Sequence, residues 1–217
     1  QNTLNHQKYI LFGDYNHQKY SIFGDYMINR ILQHTLETKL FKGKALVILG
    51  PRQVGKTTLI NELLNGSDYL FLNGDDSTVQ TKLNDANTFN LKQIIGSHKI
   101  VFIDEAQRIV NIGISSKIIT DQFKDVLLIV SGSSALEINN KTQEPLTGRK
   151  LEYHLYPISW EEFEKHNGYL AAEQQLEHRL IFGMYPDVIT NTSDEQQTLQ
   201  QLTSSYLYKD MLSLTGI

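Results

Sequence analysis

Three groups of residues in this sequence have the types and spacing to handle a polyphosphate. The first is Gly50-Pro51-Arg52-Gln53-Val54-Gly55-Lys56-Thr57-Thr58, a Gly-x-x-x-x-Gly-Lys-Thr pattern that follows the apolar run Leu46-Val47-Ile48-Leu49. Glycines at positions 50 and 55 let the backbone turn tightly and aim successive N–H groups into an anion-sized hollow, made more positive by a helix starting near Lys56. Lys56 adds a point charge that can reach the β- and γ-phosphates, and Thr57 a hydroxyl for the magnesium ion that accompanies them. The competing reading is a glycine-rich turn with a stray lysine. The strand pattern before it and the helix pattern after it weigh against that.

The second group is Asp104-Glu105, closing the run Lys99-Ile100-Val101-Phe102-Ile103. An acidic pair after an apolar run is often no more than a solvated strand end. Behind a phosphate-binding loop it has a role: Asp104 to hold the magnesium through its water shell, Glu105 to orient or deprotonate an attacking water. The third group, Ser131-Gly132-Ser133-Ser134, ends the next apolar run, Asp125 to Val130. Ser131 or Ser133 could hydrogen-bond the γ-phosphate or the water, and a plain turn of small residues is the alternative. Phosphoryl transfer also favours a planar guanidinium against spread negative charge. Arg149, in Thr147-Gly148-Arg149, could serve within the chain or across a subunit contact. Arg52, Arg108 and Arg179 are rivals, and each is readable as a surface charge.

These groups need a scaffold, and the rest of the pattern supplies one. Apolar residues at three- and four-residue spacing predict a lead-in helix from Met27 to about Lys42. Strands are expected over 44–49, 69–72, 99–103, 125–130 and 151–156, each followed by helical sequence. Continuous β-branched and aromatic runs suit strands buried on both faces of a parallel sheet, and strand–helix alternation implies right-handed βαβ units. The expected fold is α/β, of P-loop NTPase type, with a five-stranded parallel sheet in the order 5-1-4-3-2. Both the loop and the acidic pair then fall at the carboxyl ends of strands, where open α/β sheets bind ligands. Ser159 and Glu162 form a capping-box pattern that opens a helical region running to Ile217, broken at Gly183-Met184-Tyr185-Pro186-Asp187 and still amphipathic through Tyr206, Leu207, Met211 and Leu214.

Composition limits the classes of function. The 217 residues are 40% hydrophobic, enough for one good core, and a net charge of −4 with a pI near 6.0 gives no global basic field for nucleic acid. There is no cysteine, which removes disulfides and thiol chemistry and suits a cytoplasmic setting. No apolar run approaches the ~20 residues of a membrane span. Residues 5–15 recur almost unchanged as 16–26, directly before Met27. The expected division is therefore 1–26, a duplicated leader kept out of fold reasoning, 27–157, an ATP-binding domain, and 158–217, a mostly helical and incomplete region. The rival reading of the duplication is a short hairpin or adhesive arm.

The motifs named so far, with Phe102-Ile103-Asp104-Glu105-Ala106-Gln107, Leu146-Thr147-Gly148-Arg149, Leu155 to Phe163, Gly183-Met184-Tyr185-Pro186 and Tyr206-Leu207-Tyr208-Lys209-Asp210, resemble prokaryotic AAA-type ATPases that carry an uncharacterised C-terminal domain. The resemblance covers Met27 to the end in order. It implies an AAA-type core using ATP and Mg²⁺, followed by a helical region for which a winged-helix fold is an alternative. Its Gly-x-x-Pro is similar to the lid motif of signal-transducing ATPases. Family members start near Met27 and run well beyond Ile217, which implies that most of the C-terminal domain lies outside this sequence. Serines stand where other AAA proteins carry a sensor asparagine.

The favoured expectation is Mg-dependent ATP hydrolysis coupled to movement of the C-terminal region, which could also bind a protein partner or a second copy. A slow-hydrolysing nucleotide-dependent switch is the second reading. A P-loop kinase is the third, disfavoured because the carboxylate directly after Asp104 suits activated water better than a hydroxyl acceptor. A winged-helix appendage would leave DNA association open, but no basic recognition helix supports it.

Overall fold

The computed structural model of the chain describes residues 27–133 and 145–204. The duplicated stretch, Ser134 and the amphipathic positions 206–214 lie outside the described residues. Five strands, β1 (Ala45–Leu49), β2 (Leu70–Asn73), β3 (Ile100–Asp104), β4 (Leu127–Gly132) and β5 (Lys150–His154), form one sheet in the order β2-β3-β4-β1-β5, every pair parallel. This is the expected order read from the other edge. Alternate residues of the central strands serve two apolar layers, as a strand's period of two requires.

On one face Leu46, Ile48, Phe102 and Ile129 pack with Leu36 of α1 (Ile31–Glu37) and with Leu59 and Ile60 of α2 (Lys56–Leu63). On the other, Val47, Leu49, Val101, Ile103 and Val130 pack with α3 (Ser77–Asn84), α4 (Thr88–Ile95) and α5 (Ile112–Gln122) through Leu83, Leu91, Ile95 and Ile119. The burial of β1, β3 and β4 at every position explains their unbroken apolar runs.

Among the described residues, five short helices follow the sheet: α6 (Trp160–Asn167), α7 (Tyr169–Gln174), α8 (Leu176–Phe182), α9 (Pro186–Thr190) and α10 (Glu195–Leu202). Gly183 ends α8 in a left-handed conformation, and Pro186 restarts the chain at the first turn of α9, where its missing N–H costs nothing. Ile28, Ile158, Phe163 and Ala172 form a third apolar cluster that ties the lead-in segment to α6 and α7. Among the described residues no helix is long and apolar enough to cross a membrane.

The lead-in helix is shorter than its periodicity suggests. Residues 27–30 are outside any helix, with Arg30 extended (φ −94°, ψ 133°), and Phe41 adopts a left-handed φ of 53° that ends the turns following Thr38. The reason for the late start is long-range: Arg30 is drawn away from helical geometry by partners on other elements.

Candidate functional site

The loop between β1 and α2 leaves the sheet through a close crossing. The carbonyl of Leu49 accepts from the Leu155 N–H at 2.7 Å, and a Cβ on Gly50 would lie 2.1 Å from the Leu155 carbonyl oxygen, so only glycine fits. Gln53 sits at φ 61°, a left-handed value unusual for a side chain of its type, and Gly55 at φ 91° leads into α2. Lys56, 5% exposed, donates from Nζ to the carbonyls of Gly50 (3.0 Å) and Pro51 (2.9 Å), folding its ammonium back over its own loop. Val54 is buried in the core, which anchors the loop from within, while Pro51, Gln53 and Thr58 are exposed.

The acidic pair meets this loop as the strand order requires. Thr57 Oγ1 donates to Asp104 Oδ2 at 2.6 Å, and the hydroxyl of Ser131, fully buried at the end of β4, donates to the other carboxylate oxygen. Asp104 Oδ1 also accepts from the Glu105 N–H at 3.0 Å. Glu105 itself is held in the left-handed region (φ 48°, ψ 39°) as the cap of a short 3-10 turn, Ala106–Arg108, which swings its side chain out of strand alternation. Gln107 donates its amide to the Glu105 carboxylate and, at 3.0 Å, to Ser133 Oγ. Lys56, Thr57, Asp104, Glu105, Ser131 and Ser133 therefore converge on one end of the sheet.

Arg149 is not brought to them. It precedes β5, whose Lys150 pairs with Ala45 at the start of β1, so Arg149 sits at the amino end of the sheet, about 17 Å of strand away from the loop. There it donates from Nε to Asp121 Oδ1 at 2.7 Å, which holds the Asp121 carboxyl below the usual carboxylate range. This rules it out as a finger within its own chain. Arg179 is buried in the helical region, donating to the Val188 carbonyl (3.3 Å) and to Glu195 (3.4 Å). Of the rivals, Arg108 lies on the turn after Glu105 and pairs with Asp75 at 3.3 Å, and Arg52 lies on the loop.

Two site residues escaped the sequence reading. Gln107 is one. Arg30 is the other: it donates to the carbonyls of Val54 (2.8 Å) and Tyr156 (2.6 Å) and pairs with Glu162 at 3.2 Å, with both side chains nearly buried. Glu162 completes the expected capping box with Ser159 and also accepts from the Ile31 N–H at 2.8 Å, capping α1 from a distance. Beside this lies a cavity of about 130 Å³ bordered by Ile28, Thr58, Glu62, Ile158, Pro186 and Thr190.

The donor set suits a nucleoside triphosphate with magnesium. One hydroxyl and one carboxylate stand side by side, and no cluster of three or more metal-binding side chains occurs among the described residues. A hard cation that takes its remaining ligands from phosphate and water needs no more. Thr57 and Asp104 would hold the ion, and the loop N–H groups with Lys56 would hold the phosphates.

A family model described as an AAA domain matches residues 42–164, which spans the whole sheet and ends within α6. MJ1544, an uncharacterized protein of Methanocaldococcus jannaschii, is 22% identical over 206 residues, covering 87% of this chain but 46% of its own length. The chain thus spans about half of that relative. The Walker-type ATPase PABY2304 of Pyrococcus abyssi superposes with a TM-score of 0.57 at 15% identity, covering 88% of this chain and 75% of that one, a likeness of fold. With the family model covering more than half of its residues and the loop, acidic pair and strand order all in place, the chain belongs to the AAA-domain family of P-loop ATPases.

Proposed function

We propose that this chain binds ATP with magnesium and hydrolyses it, and that the nucleotide state sets the position of the region after β5. The observation that carries the reading is the 2.6 Å bond from Thr57 to Asp104, with Glu105 next in sequence and Lys56 on the same loop. Magnesium, when bound, supplies charge neutralisation at the phosphates. The protein's own part is then positioning and proton handling. Lys56 would turn from the loop carbonyls to phosphate oxygens, Ser131 holds the Asp104 carboxylate in orientation, and Glu105 orients the attacking water and accepts its proton. Ser133 faces the same space. Arg149, out of reach of its own site, could act on the γ-phosphate only from a second copy, whereas Arg52 and Arg108 lie at the same end of the sheet as the loop.

Residues 27–157 form the nucleotide-binding domain in this reading, and the helices from 158 onward form its responsive part. The small cavity supports a switch component as well. It is modest beside the roughly 300–1,000 Å³ of sites that enclose a whole ligand, and suits one flat ring between α2 and Pro186, with the phosphates on the loop. A base lodged there would touch both parts at once.

Full-length protein carrying Lys56→Ala should lose nucleotide binding. Glu105→Gln should keep ATP bound while turnover falls about 10²- to 10⁴-fold. Equal turnover by wild type and the Glu105 variant would refute hydrolysis by this site.

A further inference from the structure

Gln107 is buried, at 6% exposure, beside Glu105 and Ser133, and the function proposed above gives it no task. Its side chain is fully committed. The amide nitrogen donates to the Glu105 carboxylate and to Ser133 Oγ at 3.0 Å, and the amide oxygen accepts from the Ser133 N–H at 3.3 Å. Because a backbone N–H can only donate and a carboxylate only accept, this pattern fixes which end of the amide is which. Glu105 leaves β3 in left-handed geometry, and its carboxylate is set by the amide two residues on as well as by backbone torsion.

We propose that Gln107 is a positioning residue that makes Glu105 and the end of β4 one unit. Resting on the hydrolysis reading above, the inference adds a coupling between water activation and γ-phosphate contact. A shift of Ser133 on meeting a phosphate moves the Gln107 amide, and the amide turns the Glu105 carboxylate toward the water. Without Gln107, the Glu105 carboxylate would lose its aim. Lys56 is held by the loop carbonyls and Thr57 by Asp104, so the loss is expected in turnover rather than in ATP affinity.

The test uses full-length protein and Mg-ATP, with Gln107→Leu and Gln107→Glu compared with Ser133→Ala and the double variant Gln107→Leu/Ser133→Ala. The expected result is a kcat reduced about 10²-fold in each Gln107 variant, KM and ATP affinity within about threefold of wild type, and a double variant no slower than the worse single one. Unchanged kcat, or losses that multiply, would overturn the proposal, as would a parallel fall in affinity and melting temperature. A second readout is independent of turnover. In side-chain amide NMR spectra, Glu105→Ala and Ser133→Ala should each displace the Gln107 NH₂ pair, and a pair unmoved by both would overturn the link. If wild type binds ATP without cleaving it while the NMR response is present, the hydrolysis reading fails and the Glu105–Gln107–Ser133 unit stands.

Discussion

At the scale of single residues, the site depends on close approaches more than on the number of charged groups. Gly74, just after β2, donates its N–H to the Asp104 carbonyl at 2.8 Å, and a Cβ there would lie 2.4 Å from the Glu105 carbonyl oxygen. Gly74→Ala must push the Glu105 main chain away. Displacements near 1 Å can cost about 10²-fold in rate, and that loss is expected here in single-turnover assays with ATP affinity nearly unchanged. Lys56, Thr57, Asp104 and Glu105 were legible in the sequence because their spacing and flanking patterns imply their meeting. The sequence allows Arg149 to act within the chain or across a subunit contact, and its position before a strand of a parallel sheet leaves only the second. Gln107 stood in the motif unread because its role depends on Ser133, 26 residues away and just past the end of β4.

At the scale of elements, strands were easier to read than helix ends. Two-face burial leaves an unmistakable apolar run, whereas the start of α1 is decided by partners far away in sequence. Arg30 and Glu162 lie 132 positions apart, and no local pattern announces their pairing. Together they clamp the Val54 carbonyl of the phosphate loop, the chain leaving β5 and the first turns of α1 and α6. Arg30→Ala leaves Glu162 nearly buried without its cation, a change that costs about 3 kcal/mol. Urea unfolding should show a lower midpoint at unchanged slope.

For the whole molecule, the helices after β5 are secured by a second ionic cluster. Glu195 accepts from His178 at 2.7 Å and from Arg179 at 3.4 Å, and the His178 hydrogen bond foremost holds its carboxyl below the usual range. A depressed carboxyl stabilises the fold above its unfolded value, about 4.3, and that contribution fades as pH falls through the lower native value. The gap in melting temperature between wild type and Glu195→Gln should be full at pH 7 and close on acidification toward pH 3. A gap constant with pH would show that Glu195 acts through packing alone.

The interleaved strand order has a consequence for how the protein matures. The loop with Lys56 and Thr57, and Asp104, which would hold the phosphates and the ion, are encoded before residue 105, but β1 and β3 are not neighbours; each pairs with β4, which is made later. A nascent chain carrying both halves of the grip must wait until Leu127–Gly132 slots between them. On the function proposed above, nucleotide binding is therefore expected only after β4 has joined the two strands.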